Sequence, residues 1–151
     1  MAAHLERFVQ NRIQAGQSLQ LPEAVSLFHR LLSPQNQPPS IVTINKLLAS
    51  ISKTKHSDRY STVLNLFNRL KCTRDRGFSP TIRTFGLVLD CCRRLGRADL
   101  AFCVLGQSLR EGCGVDTIMF GSLIKGLCSL KQIGLAVKVF AKMPLWDALL
   151  V

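Results

Sequence analysis

Apolar residues recur along this chain at intervals of three and four positions, which places them on one face of an α-helix. Between residues 42 and 53 the set consists of Ile44, Leu47, Leu48 and Ile51. The same spacing predicts helices over residues 1–16, 21–32, 42–53, 60–70, 84–95, 98–109, 120–127 and 135–143. Proline, glycine and polar residues separate these stretches, so the pattern predicts an all-α chain of helical hairpins.

One stretch of the chain, residues 82–116, recurs directly after itself. An offset of 35 residues pairs Phe85 with Phe120, Gly86 with Gly121, Leu89 with Ile124, Ala101 with Ala136 and Val104 with Val139. A fixed period of this size is typical of proteins that stack one helical hairpin on the next. The sequence therefore predicts an α-α superhelix, or solenoid, of stacked antiparallel hairpins with a 35-residue period.

This period divides the chain into segments. In order they are an amphipathic N-terminal segment (1–18), a degenerate or partial repeat (19–40), a repeat with insertions (41–81), a full repeat (82–116) and a repeat with a divergent, truncated C-terminus (117–151). The insertions are assigned to surface turns at 53–59 and 71–76, where extra residues cost little. In the last repeat, a linker is expected to begin at Met143 and Pro144. Asn36, Gly77 and Gly112 open the other linkers, and these residue types favour a left-handed helix stop.

The N-terminal segment carries an apolar helical face together with Arg7 and Arg12, and Glu6 is its only acidic residue. An arginine-bearing, acid-poor amphipathic start is typical of organelle transit peptides, although serine is scarce here. A capping helix, or a degenerate first helix of a repeat, fits the same pattern. The sequence leaves both interpretations open.

The charge of the chain suggests a class of partner. Twenty Lys and Arg residues against nine Asp and Glu residues give a net charge of +11 and an isoelectric point near 10. Such a charge favours a polyanion, either nucleic acid or an anionic membrane surface, although a basic chain can also use charge only for solubility. No apolar run approaches the length of about 18 residues that spans a membrane.

Residues that commonly carry metal or catalytic chemistry form no recognised pattern. Six cysteines lack a CxxC pair, and several lie at small apolar positions of the helical pattern, which predicts buried free thiols instead of disulfides or zinc ligands. Three histidines show no metal-binding spacing. Nucleotide-binding glycine loops and nucleophile motifs are missing from the sequence. We therefore expect no metal, no cofactor, no small-molecule substrate and no enzyme activity.

Several motifs resemble those of the pentatricopeptide repeat family. Its first-helix signature V-T-Y-N-x-L-I is similar to Val42-Thr43-Ile44-Asn45 followed by Leu47-Leu48. Its N-x-L-I-x-G-L-C and A-x-x-L-F-x-x-M motifs resemble residues 120–128 followed by Ala136, Val139, Phe140 and Met143, and its G-x-x-P-D resembles Gly77-x-x-Pro80-Thr81. The likeness covers roughly residues 21–143, and the period differs from the tetratricopeptide repeat of about 34 residues. By its uninterrupted 35-residue repeats, the chain resembles the P-class of this family, a class of plant organelle proteins that includes restorers of fertility.

The resemblance implies that each repeat reads one base of single-stranded RNA, through the fifth residue of its first helix and the last residue of its linker. The implied pairs are Asn45 with Thr81 and Gly86 with Asp116, whereas Gly121 has no assigned partner. Gly86 with Asp116 implies guanine, and Asn45 with Thr81 implies a pyrimidine. Without the family pattern, Asn45 would be interpreted as a helix cap and Asp116 as a turn residue.

The resemblance also implies contacts to the rest of the RNA. Bases are sandwiched by second-position residues, here Val42, Arg83 and Ile118, and Arg83 departs from the usual valine although a guanidinium plane can stack on a base. Further along the first helix, Lys53 and Arg94 correspond to phosphate-binding positions, which makes binding depend on salt. Each of these cations also fits a solvated surface charge.

The favoured function is the binding of single-stranded RNA by an α-solenoid in organellar RNA processing, stability or translation. The expected location is the mitochondrion, with the chloroplast as the alternative. A protein-binding scaffold similar to tetratricopeptide repeats is the second hypothesis, which would give the chain protein partners. A third is that the chain is a truncated family relative with little function of its own, since solenoids need several repeats for stability.

Overall fold

A computed structural model of the chain describes residues 2–16, 19–35, 37–73 and 78–149, with side chains described between residues 4 and 143 of these ranges. The described residues form eight α-helices and no strand, which confirms the predicted all-α class. The helices are α1 Ala2–Gln14, α2 Leu21–Leu31, α3 Ile41–Ser52, α4 Arg59–Lys71, α5 Ile82–Arg94, α6 Ala98–Arg110, α7 Thr117–Ser129 and α8 Ile133–Leu149.

The chain divides into two compact units, and the N-terminal unit spans Met1–Pro80. Within it, α2 and α3 each contact the other three helices. Its core consists of the apolar residues that the helical spacing predicted, including Ala24, Leu27, Phe28, Ile44, Leu47, Leu48, Ile51, Val63, Leu66, Phe67 and Leu70. Burial of this shared apolar face is the main force that holds the four helices together.

The C-terminal unit, Thr81–Val151, contains two stacked hairpins. Helix α5 contacts α6 within the first hairpin, α7 contacts α8 within the second, and α7 also contacts both α5 and α6. Buried residues of this unit include Phe85, Val88, Leu89, Ala101, Val104, Leu105, Met119, Phe120, Leu123 and Leu127. Within this unit the prediction of stacked helical hairpins is confirmed, and α5 and α7, the first helices, contact each other.

Helix α8 departs from the pattern of the preceding repeat in the exposure of Phe140 and from the predicted linker in its length. Phe140 is 66% exposed, whereas Leu105, the equivalent residue of α6, is only 8% exposed. Helix α6 contacts both α5 and α7, but α8 has its contacts with α7 among the described residues, so its far side stays uncovered. The expected linker at Met143 and Pro144 is also wrong, because α8 continues to Leu149. The residues after Pro144 include good helix formers and no glycine, which explains the continuation.

Backbone with positive φ closes several helices. Gly112 has φ +77°, as predicted for the start of a linker, whereas Asn36 and Gly77 lie outside the described residues. In the turn between α5 and α6, Gly96 has φ +68°. The corresponding turn between α7 and α8 has Lys131 at φ 61°, in a region where the Cβ atom of an L-residue is crowded.

Replacing Lys131 with glycine is therefore expected to raise the free energy of unfolding by about 1 kcal/mol, because glycine adopts this backbone without the steric cost. Chemical denaturation measured by circular dichroism tests the change. The control is Lys125→Gly, in the interior of α7, which is expected to lower stability by about 1 kcal/mol. A Lys131→Gly variant no more stable than the parent chain would contradict the expectation.

All six cysteines are free, but only two of them are buried. Burial raises the pKa of the Cys91 thiol to about 12 and that of Cys92 to about 11, because a thiolate is poorly solvated inside the protein. Cys72, Cys103 and Cys128 are exposed, so the prediction of buried thiols is wrong for these three. Cys103 and Cys128 lie on exposed faces of α6 and α7, and Cys72 is the C-cap of α4, which the spacing of small residues alone did not distinguish.

Candidate nucleic-acid interface

The last residue of each linker is the N-cap of the next first helix. Ser40, Thr81 and Asp116 precede α3, α5 and α7, and each has extended backbone. The Ser40 Oγ accepts a hydrogen bond from the Val42 N–H at 3.1 Å, and the Asp116 Oδ1 accepts one from the Met119 N–H at 2.8 Å. Short polar residues are favoured here because they satisfy amide groups that the first turn of a helix leaves unpaired.

Thr81 takes part in a local arrangement at the start of α5. Its backbone N–H donates to the Thr84 Oγ1 at 3.0 Å, and the two hydroxyl oxygens lie 3.3 Å apart. Thr84 is buried, so this reciprocal pairing fixes the backbone at the position that the resemblance assigns to base reading.

Gly86 and Asp116 converge on Met119. A Cβ atom at Gly86 would lie 3.8 Å from the Met119 Cγ, so the fifth position of α5 faces the first turn of α7. Asp116 caps that same turn through the Met119 N–H, as given above. The structure thus brings the predicted pair to a common point, and the cap role of Asp116 is also present. A residue larger than alanine at position 86 would meet the Met119 side chain.

The other fifth-position residues have different surroundings. Asn45 lies within α3 and is 8% exposed, and Ser40 is the N-cap of that helix, so the interpretation of Asn45 as a cap is wrong. Asn45 belongs to the N-terminal unit, whereas its predicted partner, Thr81, belongs to the C-terminal unit. At Gly121, an added Cβ atom would meet nothing within 4 Å.

The second-position residues of the three first helices are all exposed. Val42 is 51% exposed and Ile118 is 75% exposed, which is unusual for apolar side chains of this size. Arg83 is also exposed. Near its N-terminus, each first helix therefore presents an exposed side chain that is able to contact the face of a base.

The two predicted phosphate contacts differ in their electrostatic surroundings. Arg94 Nε donates to the Asp90 Oδ2 at 2.9 Å, and Arg93 Nη2 donates to the Asp90 Oδ1 at 2.8 Å. Burial disfavours the ionised form of Asp90, but the hydrogen bonds from Arg94 and Arg93 outweigh it and lower the pKa of Asp90. Lys53 is exposed at the C-cap of α3 and forms no ion pair with a described residue. Lys53 is therefore the less neutralised of the two cations.

Arg93 has a structural contact that the sequence did not reveal. An added Cβ atom at Gly126 would lie 3.2 Å from the Arg93 Cγ, so the stem of Arg93 occupies the space that glycine leaves on α7. This close approach of α5 and α7 holds the two first helices side by side. The glycine within a helical pattern was the available signal, because such glycines often mark close packing.

Within the described part of the chain, no group of three His, Cys, Asp or Glu side chains is placed to hold a metal ion. The search of the described helices for a membrane span also finds none that is sufficiently long and apolar.

Comparison with known proteins identifies the repeats. The family described as PPR repeat matches residues 83–113 and 118–146. Protein Rf1, mitochondrial, from Oryza sativa subsp. indica is 33% identical over 110 residues, which cover 73% of this chain and 13% of that protein. A mitochondrial pentatricopeptide repeat-containing protein of Arabidopsis thaliana is 29% identical over 106 residues, which cover 70% of this chain and 16% of that protein. The chain thus spans only a small part of the length of these relatives.

Proposed function

We propose a function for this chain from its membership in the pentatricopeptide repeat family. It binds single-stranded RNA through the N-terminal ends of its first helices. Organellar RNA processing is the setting in which this family acts as RNA-binding proteins. The net charge of +11 supports a polyanionic ligand. Neither catalysis nor a cofactor is part of the proposal.

The observation that carries the proposal is the convergence of Gly86 and Asp116 at Met119. Oδ1 of Asp116 is occupied by the Met119 N–H, and Oδ2 has no hydrogen bond to a described residue. A carboxylate oxygen accepts hydrogen bonds only, and guanine presents two kinds of N–H donor on its Watson–Crick edge. We therefore assign guanine to this repeat.

The remaining proposed contacts to RNA are made by side chains that are exposed to solvent. Val42 and Ile118 offer apolar surface to a base face, and Arg83 offers a guanidinium plane. Lys53 supplies the phosphate contact of the N-terminal unit, and Arg94 supplies a weaker one because Asp90 shares its charge. Asn45 and Gly121 are the fifth-position residues of the other two repeats.

Salt-titrated binding to a pool of randomised single-stranded RNA tests the proposal. Two phosphate contacts predict a slope of about −1.4 for log affinity against log salt, since each contact contributes about −0.7 on a single strand. Affinity is then expected to fall about sevenfold between 50 and 200 mM salt. The Lys53→Gln variant should lose about half of the slope, whereas Lys138→Gln, an exposed lysine of α8, should keep it. A pool that does not bind at the lowest salt would refute RNA binding.

The proposed location is the mitochondrion, on the basis of the two relatives named as mitochondrial. We assign α1 to the folded chain as a capping helix. Gln10 Nε2 donates to the Thr43 Oγ1 at 2.7 Å, the Thr43 hydroxyl donates to the Glu6 Oε1 at 2.6 Å, and Arg12 binds Glu23. These bonds join α1 to α3 and α2. Import of the full chain, fused at its C-terminus to a fluorescent protein, into isolated mitochondria tests the location, and failure of the fusion to be imported would contradict it.

A further inference from the structure

A cleft of about 350 Å³ lies in the N-terminal unit, between the end of α1 and the outward face of α3. The turn that follows α1 forms one wall, where Gly16 has φ +68°. Helix α3 forms the other wall with a row of residues that includes Lys46, Ser50 and Lys53. The volume lies at the lower end of the range that small-molecule sites occupy.

Neither cation of this cleft is neutralised by a carboxylate of a described residue, as is also true of most described lysines and arginines. Lys46 and Lys53 form no ion pair with a described residue. In contrast, Arg12 binds Glu23, Arg94 binds Asp90 and Arg97 binds Asp99. No acidic residue lines the cleft. Its positive potential is therefore not cancelled locally, and an anion is the ligand that it attracts.

The geometry of α3 directs both cations to one place. Lys46, Ser50 and Lys53 are separated by four and three residues, so they follow one face of the helix over about 10 Å. The long, flexible side chains of the two lysines can converge above Ser50, whose hydroxyl is bonded to no described residue. Two ammonium groups and one hydroxyl are a donor set suited to a phosphate group.

The rest of the cleft is mostly apolar, and Thr54 is the one further polar residue among its described lining. Ile13 and Leu19 line it on the α1 side, and Ala49 lines it on α3. Inorganic phosphate would leave this surface exposed to water, and an uncharged apolar ligand would leave the lysines unused. A nucleotide satisfies both parts, because its base and ribose cover apolar surface while its phosphate meets the cations.

We propose that this cleft holds one nucleotide, with its phosphate bound by Lys46 and Lys53 and its base against Ile13 and Ala49. The source is either one unit of a bound single-stranded RNA or a free nucleotide, and only the first source rests on the proposed function. The site adds Lys46 to the RNA-contacting residues. It also makes the end of α1 part of a binding surface.

Titration of the full chain with adenosine 5′-monophosphate tests the cleft, with adenosine and inorganic phosphate as separate ligands. Nuclear magnetic resonance is expected to show saturable shifts of the amide signals of Lys46, Ser50 and Lys53 with the nucleotide. Adenosine and phosphate alone are expected to bind at least about tenfold more weakly, because each uses half of the site. Binding of a labelled single-stranded RNA forms the second arm of the experiment.

Three variants separate this cleft from a general basic surface. Lys46→Gln is expected to weaken nucleotide and RNA binding about fivefold at low salt, because Lys53 alone then holds the phosphate. Ala49→Phe fills the apolar side and keeps both lysines, so it should weaken binding by a similar factor. Lys138→Gln, which removes an exposed lysine of α8, should change neither. Circular dichroism confirms that each variant is folded.

The outcomes distinguish this site from the base-reading pair. Effects of Lys46→Gln and Ala49→Phe on RNA alone assign the cleft to an RNA unit, and effects on the free nucleotide alone assign it to that ligand. Nucleotide binding without RNA binding would refute the proposed function while the cleft stands. RNA binding that Lys46→Gln and Ala49→Phe leave unchanged, with no nucleotide binding, would overturn the cleft proposal and leave the proposed function intact. An effect of Lys46→Gln without one of Ala49→Phe would also overturn it, because charge alone would then suffice.

Discussion

Replacing Phe85 with alanine is expected to lower the free energy of unfolding of the C-terminal unit by about 3–5 kcal/mol. Phe85 is fully buried on α5, and α5 contacts both α6 and α7. The truncation opens a cavity where the two hairpins meet, and a close-packed interior relaxes only in part to fill it. Urea denaturation of the full chain, followed by circular dichroism, measures the loss.

The matched control is Phe140→Ala, which removes the same side chain from a largely exposed position on α8. Its effect is expected to stay within about 0.5 kcal/mol, as for most surface substitutions. Equal losses at the two positions would contradict the structure, because they would mean that α8 is covered as completely as α5. A loss below about 1 kcal/mol at Phe85 would mean that the stacked hairpins are not closely packed.

The contrast between these two phenylalanines shows what the sequence could predict about the fold. Helical spacing is a local property, so the apolar face of α5 was identified correctly and its first residue lies within two positions of the expected start. Exposure depends on a neighbouring helix, and the sequence of α8 carries no information about whether its outer face is covered. Repeat symmetry would bury Phe140 as Leu105 is buried, and the symmetry fails where the stack of described helices ends.

The candidate site shows the same division. The resemblance assigned base reading to linker ends and fifth positions, which stays a prediction, and the structure added that Asp116 is a helix cap and that Gly86 faces Met119. The pairing of Arg94 with Asp90 was readable from the sequence, since oppositely charged residues four apart on a helix are neighbours. The cleft beside Lys46 was not readable, because it requires the end of α1 to lie against α3.

Asp116→Asn is the substitution that separates base reading from helix capping. The asparagine Oδ1 can accept the same bond from the Met119 N–H, and Asn and Asp are equally good N-caps, so stability should change by less than about 0.5 kcal/mol. The other terminal atom of the side chain changes from Oδ2, which accepts hydrogen bonds, to an NH2 group, which donates them. Guanine donors would then face a donor, which costs about 1–3 kcal/mol of discrimination between bases, or about 5- to 150-fold in affinity.

The measurement compares short single-stranded RNAs that carry each of the four bases at one position. Parent chain and Asp116→Asn should differ mainly for guanine. Asp116→Ala removes the cap as well, so it should lose the guanine preference and also about 1 kcal/mol of stability. Asp99→Asn removes an exposed negative charge from the same unit and should leave base preference unchanged. If Asp116→Asn keeps the preference for guanine and Asp116→Ala loses only stability, Asp116 is a helix cap alone, and the guanine assignment is wrong even though RNA binding by the rest of the surface persists.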